Sequence, residues 1–299
     1  MSDHPHSESH QPHEVQFGPF LFWTSLQVVA AFLIFRFAFP ASFFAEISQP
    51  WAILVWTVAL GIPLSLFEYL YHRYLLHSAV LPFLGSMHRA HSHHHGLTKV
   101  KAPVTPKTPD KLVTVESDYP IEYEHQAESM MFPTYSISIF FALFLVVLAL
   151  PLKLLFPGAP VITAMLITVT LSYSLYEAWH AVMHLPMDRF WSKLLNHRRI
   201  GRVAKHVYSF HLMHHWRPTC NLAVVGFWGF AIWDHLFRTH RRPRRLPVDG
   251  AEVSYTDVSL RQPLWPIRVL DKVGARLYKG SRKVEDFFRR TLLRRPARG

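Results

Sequence analysis

The stretch WAILVWTVALGIPLSLFEYLYHRYLLH, residues 51–77, decides how the rest of the chain is read. From Trp51 to Tyr71 only Glu68 is charged. At 1.5 Å per residue, a helix of that length crosses about 30 Å, the hydrocarbon thickness of a bilayer. The run ends directly in two imidazoles, His72 and His77. A greasy span that terminates in metal-ligating side chains sets two questions: how many such spans there are, and whether the other histidines meet these two.

Three further runs match the first. They lie at about 18–39, 134–156 and 160–179, beside the one at 51–71. Short connectors, PASFFAEISQP and PGAP, join the four into two pairs, and neither connector contains Lys or Arg. The segment 80–133 and everything after 185 are rich in both. By the positive-inside rule, the hairpin turns face outward and both termini face the cytoplasm. Arg36, near the end of the first run, is expected to snorkel to the outer interface. The expected fold is therefore an all-α integral membrane protein: four transmembrane helices in two hairpins, capped by a cytoplasmic helical domain. Residues 1–17 read as a disordered lead-in, 18–240 as the membrane domain, and 241–299 as a basic amphipathic tail. The segment 98–120 reads as proline-punctuated loop.

Composition narrows the classes further. Half of the 299 residues are apolar, and the net charge is +12 with histidine neutral. Residues 240–299 supply most of the excess, with Lys and Arg far outnumbering Asp and Glu. Beside membrane spans, that basic tail points to anionic lipid rather than nucleic acid. Within it, Ile267, Leu270, Val273 and Leu277 recur at helical spacing between arginines and lysines. Such a helix can lie on the membrane surface or pack on the protein's own cytoplasmic domain. The single cysteine, Cys220, excludes a disulfide framework or a Cys-based metal site within one chain. The N-terminus is polar and unlike a signal peptide, and its His4, His6, His10 and His13 lack ligand spacing.

Twenty-one residues are histidine, and most fall in four clusters at the ends of the spans that run inward or in the segments that follow. They are His72 and His77; His88, His91, His93, His94 and His95; His180 and His184; and His206, His211, His214 and His215. Positions i and i+4 lie about 40° apart on a helix, so His180 and His184 can share one metal. An H-x-x-H-H run places three imidazoles within about 100° of arc, and two such runs occur, His91/His94/His95 and His211/His214/His215. The His72/His77 pair is different, because residues five apart diverge by about 140°. It can share a metal only if the helix is distorted, for example by a π-bulge. Otherwise the two serve different metals. His72 and His180 both lie about 30 Å inward from the start of their spans, so all four clusters can converge on one rim of the bundle. Ten imidazoles exceed the four to six positions of one ion, which makes two metals the natural count. His125, His197, His235 and His240 read as ordinary interfacial or core histidines.

At these residues the sequence resembles the fatty acid hydroxylase superfamily of membrane proteins, which includes sterol desaturases and lipid hydroxylases. The resemblance covers roughly 50–240 and rests on the series H-x4-H, H-x2-H-H, H-x3-H, H-x2-H-H. That series selects His72, His77, His91, His94, His95, His180, His184, His211, His214 and His215 as metal ligands. The segment NLAVVGFWGFAIWDHLFRT, 221–239, looks like the family's terminal motif: Trp233 and Asp234 match, while Arg238 stands where glycine is usual. The resemblance implies two iron ions that activate O2 to attack an unactivated C–H bond of a lipid. His88 is a candidate substitute ligand or an outer partner of the ligands, His206 could also join them, and Glu68 and Asp234 are candidates for orienting imidazole N–H groups. No flavin or nicotinamide fingerprint and no fused cytochrome pattern accompanies the histidines. A separate electron donor, a ferredoxin or cytochrome with its reductase, is expected, and the basic tail could steer an acidic one.

The leading expectation is an O2-dependent lipid hydroxylase. Desaturation by the same first hydrogen abstraction is the alternative within the enzyme class. A histidine-rich metal transporter is the alternative outside it, although a transporter places its ligands near the membrane middle, where these spans are clean. The arginine-rich tail, with no retention signal, points to a bacterial inner membrane rather than the endoplasmic reticulum.

Overall fold

The computed structural model describes residues 17–82, 84–96, 99–101, 112–116, 130–185, 190–242, 251–254 and 259–292. The N-terminal lead-in (1–16) with its four histidines, and His125, lie outside the described residues. Helix α1 spans Phe17–Ala38, α2 Pro40–Ile47 and α3 Pro50–Tyr71, which runs on into a π-helical turn, His72–Leu76. Helix α4 is Gly85–Gly96 and α5 is Ser136–Leu155, interrupted by a second π segment, Leu145–Ala149. Helix α6 is Val161–Met183 and α7 is Ser192–Leu195. Helix α8 is Gly201–Trp216, α9 is Ile232–Leu236 and α10 is Trp265–Leu292.

Four of these helices are long and apolar enough to cross a membrane, and their bounds match the four runs read from the sequence. Their outward side chains confirm the character of that surface. Phe37, Trp51 and Leu154 are 74%, 78% and 82% exposed. A soluble chain would not leave so wide an apolar belt to water. The inward side chains form one core between α1, α3, α5 and α6, built on Phe20, Leu60, Leu64, Phe141, Met165 and Val169. Helices α3 and α6, the two that end in histidine pairs, pack most extensively on one another. At Gly61, a Cβ would stand 2.9 Å from Phe227 Cε2, so the glycine lets the 227–228 aromatics press against α3.

At the end of the bundle opposite the histidines, the two connectors meet. Glu46 of α2, fully buried, accepts from Lys153 Nζ at 2.7 Å and from the Thr163 N–H at 2.8 Å. Gln49 donates to Gly158 O at 3.1 Å. Arg36 lies 4.6 Å from the centre of the Phe44 ring, an arrangement that keeps its charge beside aromatic surface. The π segment in α5 precedes Pro151, which cannot donate a hydrogen bond to the turn before it; widening the helix there accommodates the ring.

The described residues are mainly helical, with one addition to the expected all-α architecture. Strands β1 (Lys99–Lys101), β2 (Leu112–Glu116) and β3 (Ala251–Ser254) form an antiparallel sheet in the order β1-β2-β3. The register pairs Val100 with Val115 and Val113 with Val253. This corrects the reading of 98–120 as loop throughout. The prolines between the strands suggested a loop, but LVTVE carries the alternating β-branched pattern of a strand. Its partner β3 lies over a hundred residues away, in what reads as tail.

Candidate metal centre

Ten histidines come together at the end of α3 and α6, and they are the ten of the sequence series. They form two groups of five. His72, His77, His91, His95 and His214 make one; His94, His180, His184, His211 and His215 make the other. Within each group the ligating nitrogens lie within 4.8 Å of one another, and each group could hold a metal ion.

Local structure explains each contribution. The π turn carries the His77 N–H to the His72 carbonyl at 3.2 Å, five residues back. This closes the 140° divergence of an ordinary helix, and the two rings stack at 5.0 Å and 17°. On α4 and α8, the H-x-x-H-H runs do not serve one metal each. His91 and His95, one turn apart, join the first group, while His94 crosses to the second. On α8, His211 and His215 join the second group, while His214 crosses to the first. Each run thus spans both groups, and the groups adjoin where His95 stacks on His215 at 4.2 Å.

The nitrogen spacing fits a cation. In the first group, the Nε2 atom of His91 lies 3.0 Å from that of His72, and 3.1 Å from those of His77 and His95. In the second group, neighbouring Nε2 atoms are 2.7–3.2 Å apart around all five rings. Two donors about 2.1 Å from one ion and at right angles to each other sit ~3.0 Å apart. The tautomers point the same way. His180 donates through Nδ1–H to Met130 O at 3.2 Å, and His94 Nδ1 rests 3.1 Å from Met130 Sδ. A neutral imidazole that donates from Nδ1 has a bare lone pair on Nε2. Two such lone pairs face each other at 3.2 Å between His94 and His180. They repel unless a positive ion lies against both.

Two more rings are anchored by backbone carbonyls. His72 donates through Nδ1–H to Leu222 O at 2.6 Å, and His214 to Cys220 O at 2.8 Å. Met130, Cys220 and Leu222 were not legible as site residues, because any residue supplies a carbonyl and only the fold chooses which. Glu177 is a further buried carboxylate on α6, outside both groups, that the sequence reading did not single out. It is 1% exposed, one turn before His180, with Oε1 accepting from the Phe132 N–H at 3.1 Å. A carboxylate inside an apolar span was its available signal.

None of the four candidates beyond the ten joins either group. His88 belongs to neither group; its Nδ1–H donates to Leu76 O at 2.7 Å and caps the π turn. His206 also lies apart, its ring 5.7 Å from His240, because it precedes His211 by more than a turn on α8. Glu68 and Asp234 turn to backbone N–H groups. Glu68 accepts from the N–H groups of Val225 and Gly226 at 2.9 and 3.0 Å. Asp234 accepts from those of Leu222 and Ala223 at 3.0 and 2.8 Å, and from the Thr239 hydroxyl at 2.7 Å. Both carboxylates hold the 222–226 backbone, and Leu222 O in turn orients His72. Gly226 has a φ of +58°, and a Cβ there would meet Phe230 O at 2.5 Å, so this loop requires glycine at that point. Arg238 adopts a φ of +62°, the left-handed conformation that suits the glycine of the resembling motif. The turn nevertheless forms and delivers Thr239 to Asp234.

Burial and then mutual repulsion hold His77, His91, His94, His184, His211 and His215 well below the ordinary imidazole range. Burial lowers His214 to about 4 from 6.5, although its bond to the Cys220 carbonyl opposes this. All are therefore neutral ligands at pH 7. Unfolded, His214 would protonate near 6.5 and folded only near 4, so the unfolded state binds more protons between those values. The contribution of His214 to the stability of the metal-free protein should therefore be lost as pH falls through that window. Denaturation over a pH series checks this; stability that holds steady down to about pH 4 would contradict it.

Two cavities lie near this end of the bundle, and the smaller reaches one of the ten histidines. One, of about 70 Å³, lies between α3, α5 and α6; Leu64, Phe67, Phe140 and Tyr173 line it, and it reaches His72 and Gly226. The other, of about 620 Å³, lies between α6, α8 and α9 and carries His206 and His235 in its lining. The arrangement is a pair of adjoining histidine groups, each of which could hold a metal ion, at the end of a bundle of apolar helices. No family model, curated protein or solved structure matches the chain.

Proposed function

We propose that this chain is an O2-dependent membrane oxidoreductase that holds two iron ions and hydroxylates a C–H bond of a lipid. The observation that carries the reading is the pair of five-imidazole groups at the rim of a membrane bundle, with a cavity from between the apolar helices ending on His72. Imidazole suits several transition metals. Zinc has no accessible redox change, and the resemblance to lipid hydroxylases favours iron. When bound, the ions supply O2 activation; five imidazoles are one fewer than the six donors of an octahedral ion. The overall change balances as R–H + O2 + 2 e⁻ + 2 H⁺ → R–OH + H2O, the electrons coming from a separate ferredoxin or cytochrome with its reductase.

The chain's own residues then do three things. Leu222, Cys220 and Met130 fix ring orientation through their carbonyls. Glu68 and Asp234 hold the loop that carries Leu222. Phe67, Phe140 and Tyr173 admit an apolar tail and keep water out. In the proposed topology the four spans form two hairpins, and the histidine end, the N-terminus and the basic tail face the cytoplasm of a bacterial inner membrane, as the Lys/Arg distribution indicates.

The test is lipid analysis of membranes from cells that express the wild type with a donor system, under isotopically heavy O2, against His94→Ala. Heavy oxygen added to one lipid class, lost in the variant, is expected. A new double bond without added oxygen would transfer the reading to desaturation. Unchanged lipids together with metal uptake into vesicles would overturn both in favour of transport.

A further inference from the structure

Helix α10 has three faces. At about 100° per residue, Ile267, Asp271, Gly274, Ser281 and Glu285 fall within ~80° of arc. This face meets the protein. Ile267 is fully buried against Tyr69 and Leu222. Asp271 takes both Nε and Nη2 of Arg73 at 2.8 Å and the Tyr74 hydroxyl at 2.9 Å. Gly274 lies under the Tyr74 ring, where a Cβ would stand 3.2 Å from Cδ1. Ser281 is buried.

The second face carries Val269, Val273, Leu277, Val284 and Phe287, centred ~120° from the first. All five are exposed, from 39% at Val284 to 63% at Phe287. The third carries Arg268, Lys272, Arg276, Lys279, Lys283 and Arg290, centred ~100° from the apolar face and ~140° from the docked one. Position along the membrane normal is set by the ion pair. Arg73 lies within the π turn that ends the apolar span Pro50–Leu76, so α10 is held at the level where that span ends.

An uncovered apolar face beside a basic face, tethered at the edge of a membrane span, has the chemistry of an interfacial helix. We propose that α10 lies on the anionic lipid surface of the membrane that holds the four apolar helices, with Val273, Leu277 and Val284 in the acyl boundary and the lysines and arginines against lipid phosphates. The sequence allowed either a surface helix or a helix packed on the protein; α10 does both with different faces. This inference rests on the four helices being membrane-embedded and is independent of the chemistry at the metal centre.

The test uses the full chain in phosphatidylcholine vesicles, with and without phosphatidylglycerol. Single cysteines for spin labels are placed by Val273→Cys, Leu277→Cys and Val284→Cys on the apolar face, Lys279→Cys on the basic face and Ser281→Cys on the docked face. The native Cys220 is buried and does not compete. Labels on the apolar face should collide with dissolved O2 and escape an aqueous nickel complex, the Lys279→Cys label should do the reverse, and the Ser281→Cys label should be shielded from both. In the mixed vesicles, each Lys→Gln change at Lys272, Lys279 or Lys283 should lower the immersed-to-free ratio about fivefold. Apolar positions open to the nickel complex would overturn the proposal and leave the basic face for an acidic soluble partner. Apolar positions shielded from both reagents would overturn it in favour of a second copy of the chain. Immersion indifferent to lipid charge would overturn the anionic requirement.

Discussion

Changing His94 to alanine should remove metal from one group, and changing its neighbour His95 should remove it from the other. The crossed geometry makes this a sharp expectation, since His94 belongs with His180, His184, His211 and His215, and His95 with His72, His77, His91 and His214. Adjacent residues point about 100° apart on a helix, which is what sends them to different ions. Loss of even an outer partner of a metal ligand costs about 10–100-fold in affinity, so loss of a ligand should cost at least that. The purified wild type should carry one metal per group, and each single variant should retain the metal of the untouched group. The decisive comparison is between double variants. His94→Ala with His215→Ala removes two donors from the same group and should leave the other metal in place. His94→Ala with His95→Ala removes one from each and should leave little of either. Mass spectrometry of metal per chain reads the result. If the same-group pair lost both metals, or the cross-group pair kept one firmly, the two-group assignment would fail.

The second large effect is expected at Asp234, which lies outside both groups. It is fully buried and accepts from two backbone N–H groups and one hydroxyl. Burial pushes its carboxyl above the ordinary carboxylate range, while these three donors act in the other direction. Asp234→Ala would strand the Leu222 and Ala223 N–H groups in the interior at ~1–3 kcal/mol each, a destabilisation of about 4 kcal/mol. The Thr239 hydroxyl can turn to Tyr69 Oη, 3.2 Å away, and adds less. Asp234→Asn should recover only part of the loss, because its amide nitrogen opposes one of the donors. The loop change also has a direction. Leu222 O orients His72, so the group containing His72 should lose metal before the group containing His94. Unfolding in detergent, run beside metal content, checks both parts. A variant that kept full stability, or lost metal evenly from both groups, would show that the 222–226 loop is held by something else.

Arg238 shows how far a local departure matters. Its backbone is left-handed, with a φ of +62°, a region that favours glycine. An arginine holds that conformation at a cost of about 1–2 kcal/mol. Thr239 still reaches Asp234, so the strain falls on the turn and leaves the histidines in place.

Much of the molecule was legible before any coordinate. Hydropathy set the four spans, because every backbone group in hydrocarbon must be paired within its own helix and only a long apolar run can do that. The histidine clusters stood out by their spacing, and the resemblance to the hydroxylase series singled out the ten within them. The spacing of His72 and His77 left open a distorted helix or two separate metals; the structure has the π turn, with both in one group. The tertiary structure alone decided the rest. It sorted His94 from His95 and His214 from His215, since that depends on how α4 and α8 are rotated against α3 and α6. It chose Met130, Cys220 and Leu222 to orient the rings, since a carbonyl has no signature in a side-chain alphabet. It redirected Glu68 and Asp234 from the imidazoles to a loop, and it paired β2 with a strand more than a hundred residues away. Spacing along a chain is short-range information. Which metal a ring faces, and which carbonyl holds it, are set by contacts between elements distant in sequence.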